Sequence, residues 1–178
     1  SVYIYKALNL LGVPQVRALN MEADDLGAIL ADRYAKQGKV ILYTGDRDWI
    51  QLVGPNVSWV DFAKKRNVTA ANFAEMTGVA TPQQFVEMKA LAGDSGDSVP
   101  GVGGIGDKGA IEFLTKFGSF KNFLNMVTLE KTVDFKKLPK KYRDLIEDEG
   151  KAIIFDRNID LMDLRTPKRP APINLTID

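Results

Sequence analysis

Glu22, Asp24 and Asp25 set three carboxylates within four residues, just ahead of an apolar-periodic segment. Glu22 and Asp25 are three apart, so a helix would carry them on one face. Like charges held that closely are unfavourable unless something positive stands between them. Two further pairs follow, Asp46/Asp48 and Asp94/Asp97, each with a glycine beside it. The sequence contains no His and no Cys. Any metal ligands must therefore be oxygens, which selects hard cations such as Mg²⁺ or Mn²⁺. A disulfide framework, a thiolate zinc site, a cysteine nucleophile and a histidine base are all excluded. A single acidic cluster reads most simply as acids favoured by a helix dipole. Three clusters together suit a pair of cations about 3.5–4 Å apart, which would bind the attacking and leaving oxygens of a displacement. Water activated by such a metal would replace the missing histidine base.

The elements that must position these acids can be read in order. Residues 2–11 have helical apolar spacing, with Gly12 as the stop. Residues 14–19 predict a short strand leading into the first acids. Residues 24–36 predict an amphipathic helix with Leu26, Ile29, Leu30 and Tyr34 on its apolar side. Residues 40–44 form a continuous apolar run, expected as a central buried strand. A helical turn at 49–52 and a strand at 57–62 follow. Strand–helix–strand order implies a βαβ unit with parallel pairing and a right-handed crossover. In such sheets, sites lie beyond the carboxyl ends of the strands. Glu22, Asp24, Asp25, Asp46 and Asp48 are thus expected along one sheet edge.

Beyond Phe62 the character changes. Lys64-Lys65-Arg66 predicts a turn. Thr69 is expected to cap a short helix stopped by Gly78, and Thr81-Pro82 to open the next. Further helices are expected at 83–91, from beyond Ala110 to about 117, at 119–126, 140–147 and 150–160, then a Pro-rich extended end at 165–178. The expected division is a metal-binding α/β part, 1–80, and a helical part, 81–178. Between two of these helices lies the glycine-rich segment Gly101, Val102, Gly103, Gly104, Ile105, Gly106, Asp107, Lys108. Exposed backbone N–H groups at a helix start make an anion site. Two helices around a tight Gly-x-Gly turn is the helix-hairpin-helix pattern, which grips a DNA phosphate backbone without reading sequence.

Composition adds bounds. At 178 residues, 45% hydrophobic and 26% charged, the chain can bury a real core. A net charge of +1 selects no partner by itself. Residues 131–143 carry Lys131, Lys136, Lys137, Lys140, Lys141 and Arg143 against Asp134 alone, a charge run that would extend a phosphate-binding surface. Trp49 and Trp59 lie in apolar patterns and are expected in the core. No apolar run reaches membrane-spanning length and no signal peptide is visible, so an intracellular protein with no membrane partner is expected.

Three segments together resemble the flap endonuclease, or structure-specific 5′-nuclease, family, in the style of phage 5′-exonucleases and the 5′-nuclease domain of bacterial DNA polymerases. They are Glu22-Ala23-Asp24-Asp25, Thr44-Gly45-Asp46-Arg47-Asp48, and the stretch from Gly93-Asp94-Ser95-Gly96-Asp97-Ser98 through Lys108. Their order and spacing agree with the family over residues 10–125. The resemblance implies a largely parallel PIN-like α/β sheet with a helical C-terminal part. It implies Mg²⁺-dependent hydrolysis at DNA 5′ ends, flaps or nicks, or of RNA primers in RNA–DNA hybrids. Glu22, Asp24, Asp25, Asp46, Asp48, Asp94 and Asp97 would hold two metals, and Lys89 would stand near the scissile phosphate. Gly101, Gly103, Gly104, Ile105, Gly106 and Lys108 would hold the duplex. A K⁺ ion would be bound in the same loop, around Ser98, Val102 and Ile105. A replicative polymerase would be a partner. The family also carries an N-terminal strand with a catalytic Asp, a second Asp and a basic helical arch. None has a counterpart here, so the N-terminal part is expected to be missing, or supplied by another chain. Two rival readings are a non-catalytic DNA-binding module and a PIN-like ribonuclease; the second leaves the helix-hairpin-helix unexplained.

Overall fold

The computed structural model describes residues 2–178. Helix α1 (Val2–Leu10) ends where Gly12 takes φ +68°, as its spacing predicts. Strand β1 (Val16–Arg17) departs from expectation. It is only two residues long and pairs antiparallel with the C-terminal residues Thr176–Ile177. Backbone bonds between Gln15 and Asp178, and an Arg17–Asp178 ion pair at 2.7 Å, fasten it there. Pro14 lacks an N–H, which limits how far a ladder can extend in that direction. The first acids therefore do not follow a strand of the central sheet.

Helix α2 (Ala23–Tyr34) buries Leu26, Gly27, Ala28 and Ala31. Tyr34, expected on its apolar side, is exposed. The buried face is set by Trp49, whose ring lies so close to Gly27 that a Cβ there would meet it at 2.3 Å. Strand β2 (Val40–Tyr43) leads into a 3₁₀ helix at Arg47–Leu52, then β3 (Val57–Asp61) and β4 (Arg66–Val68). The sheet order is β2-β3-β4, with β2–β3 parallel and β3–β4 antiparallel. The 3₁₀ helix provides the crossover between the parallel strands. Lys65, at φ +50°, lies in the turn of the β3–β4 hairpin. Among the described residues β2 is paired on one side only, and its side chains alternate, with Leu42 buried and Ile41 and Tyr43 exposed on the uncovered face of the sheet. The continuous apolar run thus forms an edge strand, not a central one.

The rest is helical. Thr69 and Asn72 bond to each other ahead of α3 (Phe73–Thr77), and Gly78 stops it at φ +84°. Thr81 caps α4 (Pro82–Ala92) by accepting from the Gln84 N–H, with Pro82 in the first turn. Short strands β5 (Gly93–Asp94) and β6 (Val99–Pro100) pair antiparallel and bring the chain back over the end of α4. Then come α5 (Asp107–Phe117), α6 (Phe120–Thr128), a 3₁₀ turn at Phe135–Lys137, α7 (Lys140–Glu147), α8 (Glu149–Met162) and β7 (Thr176–Ile177). Phe113, Phe117, Phe123 and Tyr142 pack ring against ring, with centroids 4.8 to 5.8 Å apart. One hydrophobic cluster runs from Ala28 through Trp59, Phe85 and Leu91 to Phe113 and Phe155. Helix α4 lies between the sheet side and the helical side and joins the two.

Candidate metal centre and nucleic-acid interface

The 3₁₀ helix and the end of α4 supply the central acids. Beyond β2, Asp46 caps the 3₁₀ helix by accepting from the Asp48 N–H at 2.9 Å. The Trp59 indole N–H donates to the Asp46 carbonyl at 2.8 Å, anchoring this turn to the core. Asp48 then faces the last turn of α4, which carries Lys89. Gly93, at φ +87°, ends α4 and directs the chain into Asp94. The Asp94 carboxylate accepts from Gly96 N–H at 2.8 Å and, more weakly, from Asp97 N–H at 3.4 Å, holding the loop around it.

The result is a cleft of about 940 Å³ in which Asp46, Asp48, Asp94 and Asp97 line the wall with Lys89. Carboxylate oxygens of Asp48, Asp94 and Asp97 lie within 4.8 Å of one another. Lys89 bridges two of them, contacting Asp48 and lying 2.5 Å from Asp94, with only 13% of its side chain exposed. Its ammonium holds the Asp94 carboxyl below the ordinary carboxylate range, against the opposing effect of burial. A lysine bridging two of the three acids supplies positive charge that the cluster needs, and an oxygen-only donor set of this kind suits a hard metal ion. Arg47 and Asp107 also line the cleft, a placement that spacing alone did not signal.

Glu22, Asp24 and Asp25 lie outside this lining. Glu22 and Asp25 form a reciprocal capping box at the start of α2. Asp24 accepts from the Trp49 indole N–H at 2.8 Å. Asp25 pairs with Arg169 at 2.9 Å. Their preceding strand joins the C-terminal end and not the central sheet, so these acids reach the 3₁₀ helix from α2 and not from a neighbouring strand end. Trp49, the neighbour of Asp48, is the link between the two groups.

The glycine-rich segment flanks the same cleft, with Gly101 in its lining. Val102 and Ile105 are buried, whereas Gly103, Gly104, Gly106 and Lys108 are exposed. Gly103 and Gly104 take φ +83° and +77°, a left-handed turn that strains other residues. Gly106 caps α5, so the free N–H groups of its first turn face outward beside the turn. Ser98, at φ +56°, precedes β6. The Val102 carbonyl, one of the expected K⁺ ligands, accepts instead from the Lys151 ammonium at 2.6 Å. Sequence separation hid this contact, since Lys151 lies 49 residues away.

Comparison with known proteins places this arrangement. The family model for the 5′-3′ exonuclease C-terminal SAM fold matches residues 80–176, and that for the N-terminal resolvase-like domain matches residues 2–78. The second match shows that the N-terminal resolvase-like domain is represented in this chain. A 5′-3′ exonuclease of Aquifex aeolicus is 38% identical over 122 residues, covering 68% of this chain and 42% of the relative. DNA polymerase I of Lactococcus lactis is 34% identical over 185 residues, covering 99% of this chain and 19% of the relative. A zinc-bound structure of T5 5′-exonuclease is 28% identical with a TM-score of 0.67, covering 80% of this chain and 50% of that one. The chain thus spans less than half the length of these curated relatives. With both domain models matched in succession, the chain belongs to the 5′-3′ exonuclease family.

Proposed function

We propose that this chain acts in structure-specific hydrolysis of phosphodiesters at 5′ ends, flaps or nicks of DNA, or of RNA primers paired to DNA. The observation that carries the reading is the convergence of Asp48 with Asp94 and Asp97 beside an exposed glycine-rich turn. These acids, with Asp46, are the proposed holders of Mg²⁺ or Mn²⁺, two ions in all. Glu22, Asp24 and Asp25 are proposed to serve the same ions from the α2 side, through water. When bound, the metals supply an activated water and offset phosphate charge. Lys89, displaced from the acids by a cation, is free to contact the scissile phosphate. Backbone N–H groups from Gly101 to Gly106, with Lys108, hold the duplex so that a 5′ end enters the cleft. Residues 1–80 and 81–178 then meet at the site, the first giving Asp46 and Asp48 and the second Lys89, Asp94 and Asp97. DNA is the proposed partner, and a polymerase is a further one, in keeping with the polymerase I relatives.

The test is cleavage of a 5′-labelled flap duplex with Mg²⁺, compared with EDTA, alongside Mn²⁺ binding by calorimetry. Asp48→Asn and Asp94→Asn should each lower cleavage by about 10² or more and weaken Mn²⁺ binding, while duplex affinity stays within about twofold. The engagement of Glu22, Asp24 and Asp25 in local contacts favours one rival, a DNA-binding module without chemistry. Tight Mg²⁺-independent duplex binding with no cleavage, even from a chain extended at its start, would establish that rival.

A further inference from the structure

We infer that the Lys151 ammonium is the built-in cation of the glycine-rich turn, taking the place that a potassium ion would occupy. The inference rests on the reading that this turn holds duplex DNA. Lys151 donates to two successive carbonyls, Val102 at 2.6 Å and Gly103 at 2.8 Å. The peptide planes that carry these two carbonyls meet at Gly103, whose left-handed φ of +83° relates them, and Gly104 continues the turn at +77°. A Cβ on Gly103 would stand 3.3 Å from the Lys151 nitrogen, so the turn and the ammonium fit each other closely.

The position is otherwise a poor one for a lysine. Lys151 lies in the first turn of α8, where the helix dipole disfavours positive charge. The two carbonyls provide the negative ends that compensate it. The same helix also holds the preceding segment, since fully buried Asn158 donates to the carbonyls of Ala90 and Pro100 at 3.0 and 2.9 Å. From the other side, the Val102 N–H donates to Leu91 at 3.0 Å. The Val102 peptide is thereby held at both its N–H and its carbonyl.

A potassium ion does not fit beside this lysine. Carbonyl oxygens bind such an ion by replacing its water. Here one expected ligand, Val102, is already satisfied by a cation, and a second positive charge a few ångströms away would be repelled. An ammonium carries three donors and two are used on the turn, leaving one for a phosphate oxygen. Lys151 is thus a positioning residue that fixes the turn's N–H groups and adds a charge that cannot diffuse away.

The experiment compares wild type, Lys151→Met and Lys151→Gln in KCl, NaCl and choline chloride at equal ionic strength. Duplex affinity of wild type for a nicked DNA should agree within about twofold across the three salts. Both variants should bind about tenfold more weakly in NaCl and choline chloride, with KCl restoring much of the loss. Without DNA, amide exchange of residues 102–106 should be about tenfold faster in the variants. Thallium(I), a spectroscopic probe for potassium, should give a bound resonance with the variants and none with wild type. Wild-type binding that needs K⁺, a thallium resonance with wild type, or unchanged exchange in the variants would each overturn the inference. If no form binds DNA, the proposed function fails, while exchange and thallium still decide the role of Lys151.

Discussion

Two side chains carry most of what is unusual at the level of single residues. Lys89 neutralises a cluster that would otherwise repel itself. Lys89→Met should therefore destabilise the metal-free protein by about 1–3 kcal/mol. It should also enlarge the stabilisation produced by Mn²⁺, since the ion no longer competes with an ammonium; paired melts with EDTA and Mn²⁺ read both effects. Glu87 presents the opposite problem. It is buried at 7% exposure, accepts from the Phe120 N–H at 2.8 Å, and burial pushes its carboxyl above the ordinary value of 4.5. The folded state then binds the proton more tightly than the unfolded one. Stability contributed by protonated Glu87 is present below the ordinary value and lost as pH rises through the raised one. Glu87→Gln keeps an acceptor for Phe120 without the charge. It should raise the melting temperature by a few degrees near pH 8 and leave it unchanged near pH 3. An equal shift at both pH values would remove burial of charge as the cause.

Among the elements, the junction between α4 and the glycine-rich turn controls the site. Gly93 and Gly101 lie back to back: a Cβ on Gly93 would reach 2.4 Å from the Gly101 nitrogen, and one on Gly101 would reach 2.4 Å from the Leu91 carbonyl oxygen. Backbone cannot yield as a side-chain tip can, so Gly101→Ala should cost about 1–3 kcal/mol or more. By moving β6 away from α4 it should also shift Asp94, which pairs with Val99 of β6, out of the Asp48–Asp97 cluster, and weakened Mn²⁺ binding would report that. An exposed glycine away from the cleft such as Gly38, with open space where a Cβ would stand, is the control; its Ala variant should leave both unchanged. Motif order alone located this junction, because helix stop, acid pair and turn follow one another directly. Its tightness depends on how β5 and β6 pair, and spacing does not disclose that.

Across the whole molecule, the core crosses the boundary between the two matched family regions without a break. Phe113 is fully buried among aromatic rings in the helical part, whereas Trp59 is buried in the sheet. Phe113→Ala should lower stability by about 3–5 kcal/mol. The fluorescence transition of Trp49 and Trp59, both on the sheet side, should fall together with the far-UV circular dichroism transition, as one cooperative unit requires. Separate transitions would show two independent folding units. The opposite surface of the sheet is less complete. Ile41, Tyr43 and Phe62 are exposed together on and beside edge strand β2, with the Tyr43 and Phe62 rings 6.1 Å apart. Among the described residues, no helix is long and apolar enough to cross a membrane.

Local chemistry was legible in the residues themselves. Absence of His and Cys restricts ligands to oxygen, Thr81-Pro82 opens α4, Gly78 closes α3, and Gly93 through Lys108 spells a turn between helices, because capping and turn preferences act over a few residues. The pairing of Asp48 with Asp94 and Asp97 followed in outline from motif order. Tertiary structure alone decided that β1 joins the C-terminal end, that β2 is an edge strand, that Asp24 turns to Trp49 and Asp25 to Arg169, and that Lys151 reaches Val102 and Gly103. Each of these is a contact between segments far apart in the chain. Periodicity records which face of an element is apolar, but it carries no information on which distant partner will cover that face or satisfy its charge.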